Sequence, residues 1–222
     1  GALEGGEAAL PSVGRRWLRF AVVAASSFLL NATSSVIIIV MPKIAEDLNA
    51  SLSSVLWVSL AHSLVTCALN SGAGLLGDVV GHRRLWYAGM AVRAAAQLCS
   101  GLAPSLPALV ACRAAAGVGG AMDGPSGIAL VLRAFPPERK PFLVALCTAV
   151  GTSAQSAGMI LGAVVAQRFG WRMCFLAPVP LLAVIVLAAP VALRDDDGGG
   201  GGGDVSRQLR DFDWGGTALL AA

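Results

Sequence analysis

Stretches of about 20 apolar residues recur along this chain, and no other feature limits its possible folds as much. A helix needs about 17 to 25 mostly apolar residues to cross a bilayer, because its backbone polar groups must be hydrogen-bonded within the segment itself. The sequence therefore predicts an all-α membrane protein with six spans. They lie at roughly 18–41, 53–76, 85–103, 106–132, 142–166 and 173–193.

The composition indicates that lipid is the main solvent and a partner of this chain. Hydrophobic residues make up 56% of the 222 residues and charged residues 13%, whereas soluble domains average about 45–50% and about 25%. The net charge of +3 is small and the basic residues lie in short connections, so we expect no nucleic acid partner. The five cysteines lie inside apolar stretches without paired spacing, which favours small packing residues over metal ligands. We expect no metal and no cofactor.

Lys and Arg are distributed unevenly between the two sides of the predicted bundle. Eleven of the 16 lie around the start of the first span or in the second, fourth and sixth connections. Basic residues in short loops stay on the cytoplasmic side of a membrane. We therefore predict a multi-pass protein with a cytoplasmic N-terminus, in the plasma membrane or an organelle membrane. Merging or losing one span would distribute these clusters over both sides, so the bias also supports the count of six.

Four segments are predicted along the chain. Residues 1–17 form a cytoplasmic tail, and residues 18–193 form the six-span bundle. An Asp/Gly-rich stretch of low complexity follows at 194–213, which cannot bury a core and is expected to be a flexible cytoplasmic linker. Residues 214–222 begin a seventh span that is cut short, so we expect the chain to be the N-terminal half of a longer protein.

The connection between spans two and three combines glycines with opposite charges. It reads Gly-Leu-Leu-Gly-Asp-Val-Val-Gly-His-Arg-Arg from residue 74 to residue 84. Glycine permits tight turns and close helix approach, and carboxylate and guanidinium groups form ion pairs that can break. We predict a gating loop, with a topogenic turn of solvated charges as the alternative. The gating residues are Gly74, Asp78, Gly81, Arg83 and Arg84.

Span four carries two charged residues inside the bilayer, Arg113 and Asp123. A guanidinium there costs about 2.5 to 3.5 kcal/mol, so it is rarely retained without a partner or a water-lined cavity. The two residues lie about 15 Å apart along a helix and can pair only if the helix breaks, for which Gly124 and Pro125 offer a place. Arg113 is the first functional candidate. Asp123 is interpreted either as a protonatable or cation-binding carboxylate facing a cavity, or as a buried residue satisfied by its neighbours.

Polar residues in other spans are further candidates. Asn31 in span one and Gln155 in span five are candidates for proton coupling or for lining a cavity. Arg93 and Gln97 share one face of span three, because they are four residues apart. They either line the cavity or extend toward the membrane interface, and we favour the second interpretation for Arg93.

Small residues recur in spans four and five. Gly117 lies in span four, and Gly158 and Gly162 lie four residues apart in span five. Small residues at this spacing let neighbouring helices approach closely within a membrane. We predict that these three glycines are helix-packing positions.

Three of these segments resemble signatures of one transporter family. The loop from Gly74 resembles the Gly-x-Leu-Ala-Asp-basic-x-Gly-Arg-basic loop of the major facilitator superfamily and departs from it at Val79. Span four resembles that family's Arg-x-x-Gln-Gly-x-Gly pattern, in which the arginine is linked to proton handling, with Ala116 in place of glutamine. Span five resembles the Gly-Pro-x-x-Gly-Gly signature of its drug:proton antiporters, with Met159 in place of proline and Ala163 in place of the last glycine.

The similarity extends along most of the chain. Residues 41–64, around the end of span one and the start of span two, look like the same part of fourteen-span drug:proton antiporters, with His62 at a usual tyrosine position. Residues 169–180 are similar to their junction of spans five and six, and residues 212–218 to the start of their span seven. The first span lacks the acidic residue that these antiporters tend to carry.

The resemblance implies both a fold and a function. The fold is the six-helix N-terminal bundle of a major facilitator fold, a 3+3 inverted repeat, followed by the start of a seventh span. The implied function is secondary active transport of small organic molecules, as proton-coupled multidrug efflux by alternating access. The implied partners are a small-molecule substrate, the proton as coupling ion, and the C-terminal half of the same transporter.

Other functions remain open at this point. A nutrient or metabolite carrier of the same superfamily is the first alternative. A transporter-derived protein without transport activity is the second, because the chain departs from the family's patterns at several positions. We do not expect an enzyme, because two histidines, one tyrosine and few acids within the spans offer no nucleophile and base that converge on one site.

Overall fold

A computed structural model describes residues 13–193, and this part of the chain is almost entirely helical. A 3₁₀ turn at Pro137–Arg139 precedes the fifth helix. The predicted linker at 194–213 and the start of the predicted seventh span lie outside the described residues. The α-helices of the described part are α1 (Val13–Asp47), α2 (Leu52–Val80), α3 (His82–Leu102), α4 (Leu106–Ala134), α5 (Lys140–Phe169), α6 (Trp171–Leu176) and α7 (Pro178–Ala192).

These helices correspond to the six predicted spans. Five segments of the described chain are long and apolar enough to cross a membrane, namely α1, α2, α4, α5 with the turn before it, and α6 together with α7. Helix α3 is the predicted third span. Its 21 residues reach about 31 Å, but Arg93 and Gln97 make it less apolar than the others. Pro178 separates α6 from α7, because proline cannot donate to the carbonyl four residues earlier.

Helix α1 is longer than the sequence predicted. It runs for 35 residues from Val13 to Asp47, past the predicted limits of 18 and 41. At about 1.5 Å per residue it reaches roughly 52 Å, whereas the hydrocarbon core of a bilayer is about 30 Å thick. Both ends of α1 therefore extend beyond the apolar layer, which accommodates Arg15 and Lys43 near its two ends.

The helices pack as an inverted repeat. Helix α1 packs along α5, and α4 packs along α2; α3 contacts α4 and α6, and α7 packs on α1. Helices α1, α2 and α3 correspond in order to α4, to α5, and to α6 and α7 taken as one span. Under this correspondence the α1–α5 contact becomes the α4–α2 contact. This exchange of partners between two three-helix units is the pattern of a 3+3 inverted repeat, and the prediction of an all-α six-helix bundle is confirmed.

One end of the bundle brings together the junctions with the basic clusters. Asp78 Oδ1, near the end of α2, lies 3.4 Å from an Arg133 guanidinium nitrogen in the last turn of α4. The rings of Trp17 and Phe135 meet edge-on with centroids 5.5 Å apart. The start of α1, the α2–α3 junction and the end of α4 are therefore neighbours, as the one-sided distribution of Lys and Arg requires. We call this the Asp78 end.

The opposite end is held by a cluster of buried apolar side chains. The indole Nε1 of Trp171 donates a hydrogen bond to Asp47 Oδ2 at 2.8 Å, which joins the start of α6 to the end of α1. This polar contact lies beside a close-packed core, so the end is fixed by both kinds of interaction. The cluster includes Ile44, Val55, Leu109, Trp171 and Phe175, each at most 1% exposed.

Large apolar side chains also cover the outside of the bundle. Leu56, Leu60 and Leu64 recur every four residues along α2 and are 48%, 45% and 57% exposed. Comparable exposed residues lie on α5 and α7, including Ile160 and Leu187. Soluble monomers rarely expose apolar surface on this scale. The surface is that of an integral membrane protein.

Glycines allow α1 and α5 to pack closely. A methyl group added at Gly158 would overlap the backbone of Ala32, and one added at Gly162 would overlap the side chain of Val36. Gly117 plays a similar part between α4 and α2, because an added methyl group would lie 2.7 Å from the backbone oxygen of His62. All three predicted packing glycines therefore lie at close helix contacts.

The Gly158 contact leads to a prediction about stability. We expect Gly158→Ala to lower the free energy of unfolding by about 1–3 kcal/mol, because the backbone of Ala32 cannot move away as a side chain could. Gly151→Ala is the matched control on the same helix, since its added methyl group would meet only the Asn31 amide at 3.8 Å. Denaturant unfolding in detergent micelles measures both variants. Equal stabilities would contradict the proposed packing role.

Candidate functional site

A polar cavity of about 250 Å³ lies between the first four helices, and we call it the polar lobe. Most of the residues that line it carry hydroxyl, amide, imidazole or charged groups. Polar side chains within a membrane bundle normally face such interior space rather than lipid. Helices α1 and α2 contribute Ser26, Ser27, Leu30, Asn31, Ser34, His62, Thr66 and Asn70; α3 and α4 contribute Trp86, Arg93, Gly120, Asp123 and Gly124.

An ion pair between Arg93 and Asp123 joins α3 to α4 on the wall of the polar lobe. The Arg93 Nη1 donates to Asp123 Oδ1 at 3.0 Å and to Oδ2 at 3.2 Å. The two side chains are only 12% and 5% exposed. Arg93 therefore turns inward, and the expectation that it extends toward the membrane interface is wrong. A guanidinium buried in a membrane bundle is stabilised by a carboxylate, and Asp123 supplies it.

Two glycines position this ion pair. A methyl group added at Gly89 of α3 would lie 2.7 Å from the backbone nitrogen of Asp123, and one added at Gly119 of α4 would lie 2.6 Å from Arg93 Cγ. The helices therefore approach so closely that the Arg93 side chain must lie along α4. The glycines that let α3 and α4 touch also determine where the charges meet.

Arg113, the first candidate from the sequence, does not line the polar lobe. Helix α4 continues without a break through Gly124 and Pro125, so Arg113 and Asp123 remain apart. Arg113 is 2% exposed, and its guanidinium lies over the ring of Phe175 in α6, with 5.8 Å between the guanidinium carbon and the ring centroid. Its Nε has no hydrogen-bond partner among the described residues. The structure places Arg113 in helix packing, stabilised by a cation–π contact.

A second cavity of about 220 Å³ lies next to the polar lobe, and we call it the apolar lobe. Its walls come from α1, α4 and α5, and most of the side chains are aliphatic, including Val23, Ile128 and Val144. Ser27, Asn31 and Gly124 line both lobes. The two lobes therefore adjoin at these three residues, and the candidate Asn31 lies at their junction.

Gln155, the candidate in span five, lines neither lobe. Helix α5 turns Ala154, Gly158 and Gly162 toward α1, and Gln155 lies on the adjacent, exposed face. Its backbone carbonyl accepts a hydrogen bond from Ser35 Oγ at 2.9 Å. Of the four candidates for coupling or cavity lining, the structure brings Asn31 and Asp123 together and separates Arg113 and Gln155 from them.

Three of the hydroxyl groups that line the polar lobe already use their hydrogens. Ser26, Ser34 and Thr66 each donate to a backbone carbonyl three or four residues earlier in their own helix, at 2.8 to 3.0 Å. Asn31 uses one of its N–H groups in the same way, at 2.8 Å. A hydroxyl oxygen that has donated its hydrogen can still accept. The oxygens of Ser26, Ser34 and Thr66 are therefore available to a ligand as hydrogen-bond acceptors.

Asp78 of the predicted gating loop contacts His82 and Arg133 within the described part of the chain. Its Oδ1 lies 3.0 Å from His82 Nε2 and 3.4 Å from an Arg133 guanidinium nitrogen. The Arg133 contact joins the end of α2 to the end of α4 and crosses 55 residues of sequence. The Asp78 and Arg133 side chains are 64% and 43% exposed. Exposed ion pairs contribute little to stability, so this contact can form and break easily.

The other gating residues have different environments. Gly81 joins α2 to α3 with a φ of +100°, a conformation that side-chain-bearing residues rarely adopt. An added methyl group at Gly74 would meet nothing within 4 Å, so this glycine serves no close contact among the described residues. Arg83 is half-buried and Arg84 is exposed. The turn geometry thus depends on Gly81, and the ion pair on Asp78.

Several polar-lobe residues were not predicted, although they follow a recognisable sequence pattern. His62, Thr66 and Asn70 recur every four residues in α2, so they share one helical face. Ser27, Asn31 and Ser34 recur at spacings of four and three in α1. A polar stripe at helical spacing inside an apolar stretch indicates an interior face, and this signal was present in the sequence. Arg133 as a partner of Asp78 had no such local signal.

Comparison with known proteins identifies the class of protein to which this arrangement belongs. The sequence profile of the Major Facilitator Superfamily matches residues 23–212. The chain belongs to the Major Facilitator Superfamily.

Among its relatives are two export proteins. The chain is 31% identical to the tetracenomycin C resistance and export protein of Streptomyces glaucescens, over 94% of this chain and 37% of the relative. It is 34% identical to the multidrug efflux pump LfrA of Mycolicibacterium smegmatis, over 79% of this chain and 35% of the relative. The chain thus spans little more than a third of the length of these relatives.

Two further similarities broaden the comparison. The riboflavin transporter RibZ of Clostridioides difficile is 26% identical over 75% of this chain and 37% of that protein. A crystal structure of a mutant POT peptide transporter in complex with alafosfalin superimposes with a TM-score of 0.68 at 13% identity, covering 91% of this chain and 45% of that one. At this identity the structural likeness establishes the fold alone.

Proposed function

We propose that this chain is the N-terminal half of a secondary transporter that exports small organic molecules in exchange for protons. The observation that carries the proposal is the buried Arg93–Asp123 pair on the wall of the polar lobe. An ionisable pair inside a membrane bundle marks a substrate or ion pathway more often than it serves packing. The export proteins among the relatives support the direction of transport.

Asp123 is the proposed site of proton binding. Both of its oxygens accept from Arg93 Nη1, so a proton on the carboxylate would remove the ionic part of the contact. Arg93 would then be free to move within the lobe. Proton binding and the arrangement of the cavity wall would thereby be linked, which is what coupling between an ion and a substrate requires.

The Asp78 end is the proposed cytoplasmic gate, and the N-terminus is proposed to be cytoplasmic. The contact of Asp78 with Arg133 would hold α2 and α4 together at that end in one state and release them in the other. Such an exposed pair changes little in stability when it breaks. Rocking of two halves around a central site would then give alternating access.

The second half is proposed to follow a linker at 194–213 and to begin with a seventh span from residue 214. The export relatives are almost three times as long as the matched region, because it covers 37% and 35% of them. A second six-helix half, which encloses a site together with the first, accounts for part of this difference. A metabolite carrier is the second candidate function, and the similarity to a riboflavin transporter favours it.

Proton exchange in liposomes tests the proposal. Full-length protein is reconstituted into liposomes that contain a pH-sensitive dye, and a pH gradient is set across their membrane. Tetracenomycin C, the compound named for one relative, is then added on the side with the lower proton concentration. We expect substrate-driven proton movement, which Asp123→Asn abolishes while downhill substrate movement continues. Glu138→Gln removes an exposed carboxylate and is the control.

Three outcomes decide between the parts of the proposal. Residues 1–222 alone are expected to transport nothing, because one half encloses no complete pathway. If Asp123→Asn retains full proton coupling, Asp123 is not the coupling site. If Arg113→Ala alone loses coupling, Arg113 is the coupling site. Downhill substrate movement without any proton movement in the unmodified protein would favour the carrier function.

A further inference from the structure

The polar lobe holds opposite charges that compensate each other. Among the described residues that line it, the charged side chains are Arg93 and Asp123, bound at 3.0 Å, and His62 is the other titratable group. A ligand with a permanent positive charge would lose its hydration there without meeting an uncompensated carboxylate. Burial of an uncompensated charge is strongly unfavourable. The lobe therefore favours uncharged molecules.

The α1 and α2 wall specifies which uncharged groups fit. The hydroxyl hydrogens of Ser26, Ser34 and Thr66 are bound to backbone carbonyls, so their oxygens remain as acceptors. A ligand group that donates an O–H or N–H bond satisfies these oxygens, whereas an aliphatic group leaves them desolvated. Leaving a buried acceptor without a partner is unfavourable, so these three oxygens favour a ligand that donates hydrogen bonds.

The apolar lobe adds a place for a second part of the ligand. It adjoins the polar lobe at Ser27, Asn31 and Gly124, and aliphatic side chains such as Ile128 and Val144 form much of its wall. The lobes measure about 250 and 220 Å³, and ligand sites for drug-sized molecules range from about 300 to 1,000 Å³. One molecule that extends through the junction would fill both.

We propose that the substrate is an uncharged amphipathic molecule that places hydroxyl or amide donors in the polar lobe and its apolar part in the apolar lobe. This inference rests on the proposed function and names its substrate class. Gly124 is the specificity-determining position, because it lies on the passage between the lobes and has no side chain. A methyl group added there would meet nothing within 4 Å, so the passage is open at this residue.

Three small molecules test the substrate class. Thiamphenicol and florfenicol are uncharged and differ in a single hydroxyl group, which florfenicol replaces with fluorine. Tetraphenylphosphonium is a permanent lipophilic cation. Equilibrium dialysis against the purified full-length protein measures their affinities. We expect thiamphenicol to bind about fivefold to tenfold more tightly than florfenicol, the loss typical of one buried hydrogen bond, and tetraphenylphosphonium to bind at least about tenfold more weakly than thiamphenicol.

Two sets of variants test the two parts of the site. Arg93→Gln leaves Asp123 uncompensated, and we expect tetraphenylphosphonium to bind at least about tenfold more tightly, with the original preference restored in Arg93→Gln/Asp123→Asn. Gly124→Leu fills the passage, and we expect thiamphenicol to bind at least about tenfold more weakly. Gly14→Leu, in an exposed turn of α1 with no neighbour within 4 Å, is its control.

Several results would overturn the inference without touching the proposed function. They are tighter binding of tetraphenylphosphonium than of thiamphenicol, equal binding of thiamphenicol and florfenicol, no binding of either uncharged probe, or no effect of Gly124→Leu. Proton-coupled export of tetraphenylphosphonium would support the proposed transport function and contradict the proposed substrate class. Selective binding of thiamphenicol without any proton-coupled movement of substrate would support the proposed chemistry of the site and contradict the proposed transport function.

Discussion

Replacing Arg93 by alanine is expected to lower the free energy of unfolding by about 3–5 kcal/mol, the loss typical of breaking a buried ion pair from one side. The guanidinium is 12% exposed and its partner Asp123 is 5% exposed, so solvent cannot replace the lost contact. The carboxylate would remain in the interior without compensation. Denaturant unfolding in detergent micelles measures the change.

A double-mutant cycle separates the ion pair from the packing of the Arg93 side chain. We expect Arg93→Ala combined with Asp123→Asn to be more stable than Arg93→Ala alone, because no uncompensated charge remains. Arg139→Ala, which removes an exposed arginine at the Asp78 end, is the control and is expected to stay within about 0.5 kcal/mol of the unmodified protein. Additive effects in the cycle would show that the two charges do not interact.

Charge reversal at Asp78 is expected to reduce transport by at least about tenfold while leaving stability almost unchanged. The reason for the difference is exposure. Asp78 and Arg133 are 64% and 43% exposed, so their contact adds little to folding. A gate, in contrast, needs two helix ends that associate in one state only. Substrate flux through the full-length protein in liposomes and unfolding in micelles give the two readouts.

The reciprocal exchange shows whether Arg133 is the partner in the gate. We expect Asp78→Arg combined with Arg133→Asp to recover part of the flux that Asp78→Arg loses. Recovery stays incomplete because His82 also contacts Asp78, at 3.0 Å, and the exchange does not restore that bond. Glu138→Gln, an exposed acid in the turn after α4, is the control for a general effect of charge at this end. If substrate flux in the exchange variant stays as low as in Asp78→Arg, Arg133 is not the functional partner of Asp78.

The spans and their one-sided junctions were predictable because they depend on local sequence. A stretch of about 20 apolar residues forms a spanning helix wherever it lies in the chain. Basic residues mark the connections that stay on the cytoplasmic side. The division of the sixth span at Pro178 and the length of α1 were missed. The first depends on one missing backbone N–H, and the second on polar turns that remain helical outside the apolar layer.

The partner of Asp123 was not predictable, because it depends on the register between two helices. Arg93 and Asp123 are separated by 30 residues, and close approach at Gly89 and Gly119 brings them together. A slide of α3 along α4 by one turn, about 5.4 Å, would leave both charges without partners. The sequence showed that each charge lay in a span, and it did not show which other helix would compensate it.

The burial of Arg113 was predictable, but its surroundings were not. Its place in span four indicated an interior position, and the side chain is indeed 2% exposed. The direction it takes depends on Phe175, more than 60 residues later in the sequence, whose ring lies under the guanidinium. The polar stripe of His62, Thr66 and Asn70 is the opposite case, since its spacing alone would have identified a cavity wall.

The mutual compensation of Arg93 and Asp123 has an electrical consequence. Carrying one elementary charge through a voltage of 100 mV changes its free energy by about 2.3 kcal/mol. The bound pair adds no net charge to the wall of the site, so voltage exerts no net force on these two groups when the carrier reorients with an uncharged substrate bound. If an uncharged molecule leaves as one proton enters, the proton is the sole net charge transferred. The full membrane voltage then adds to the pH difference as a driving force for export.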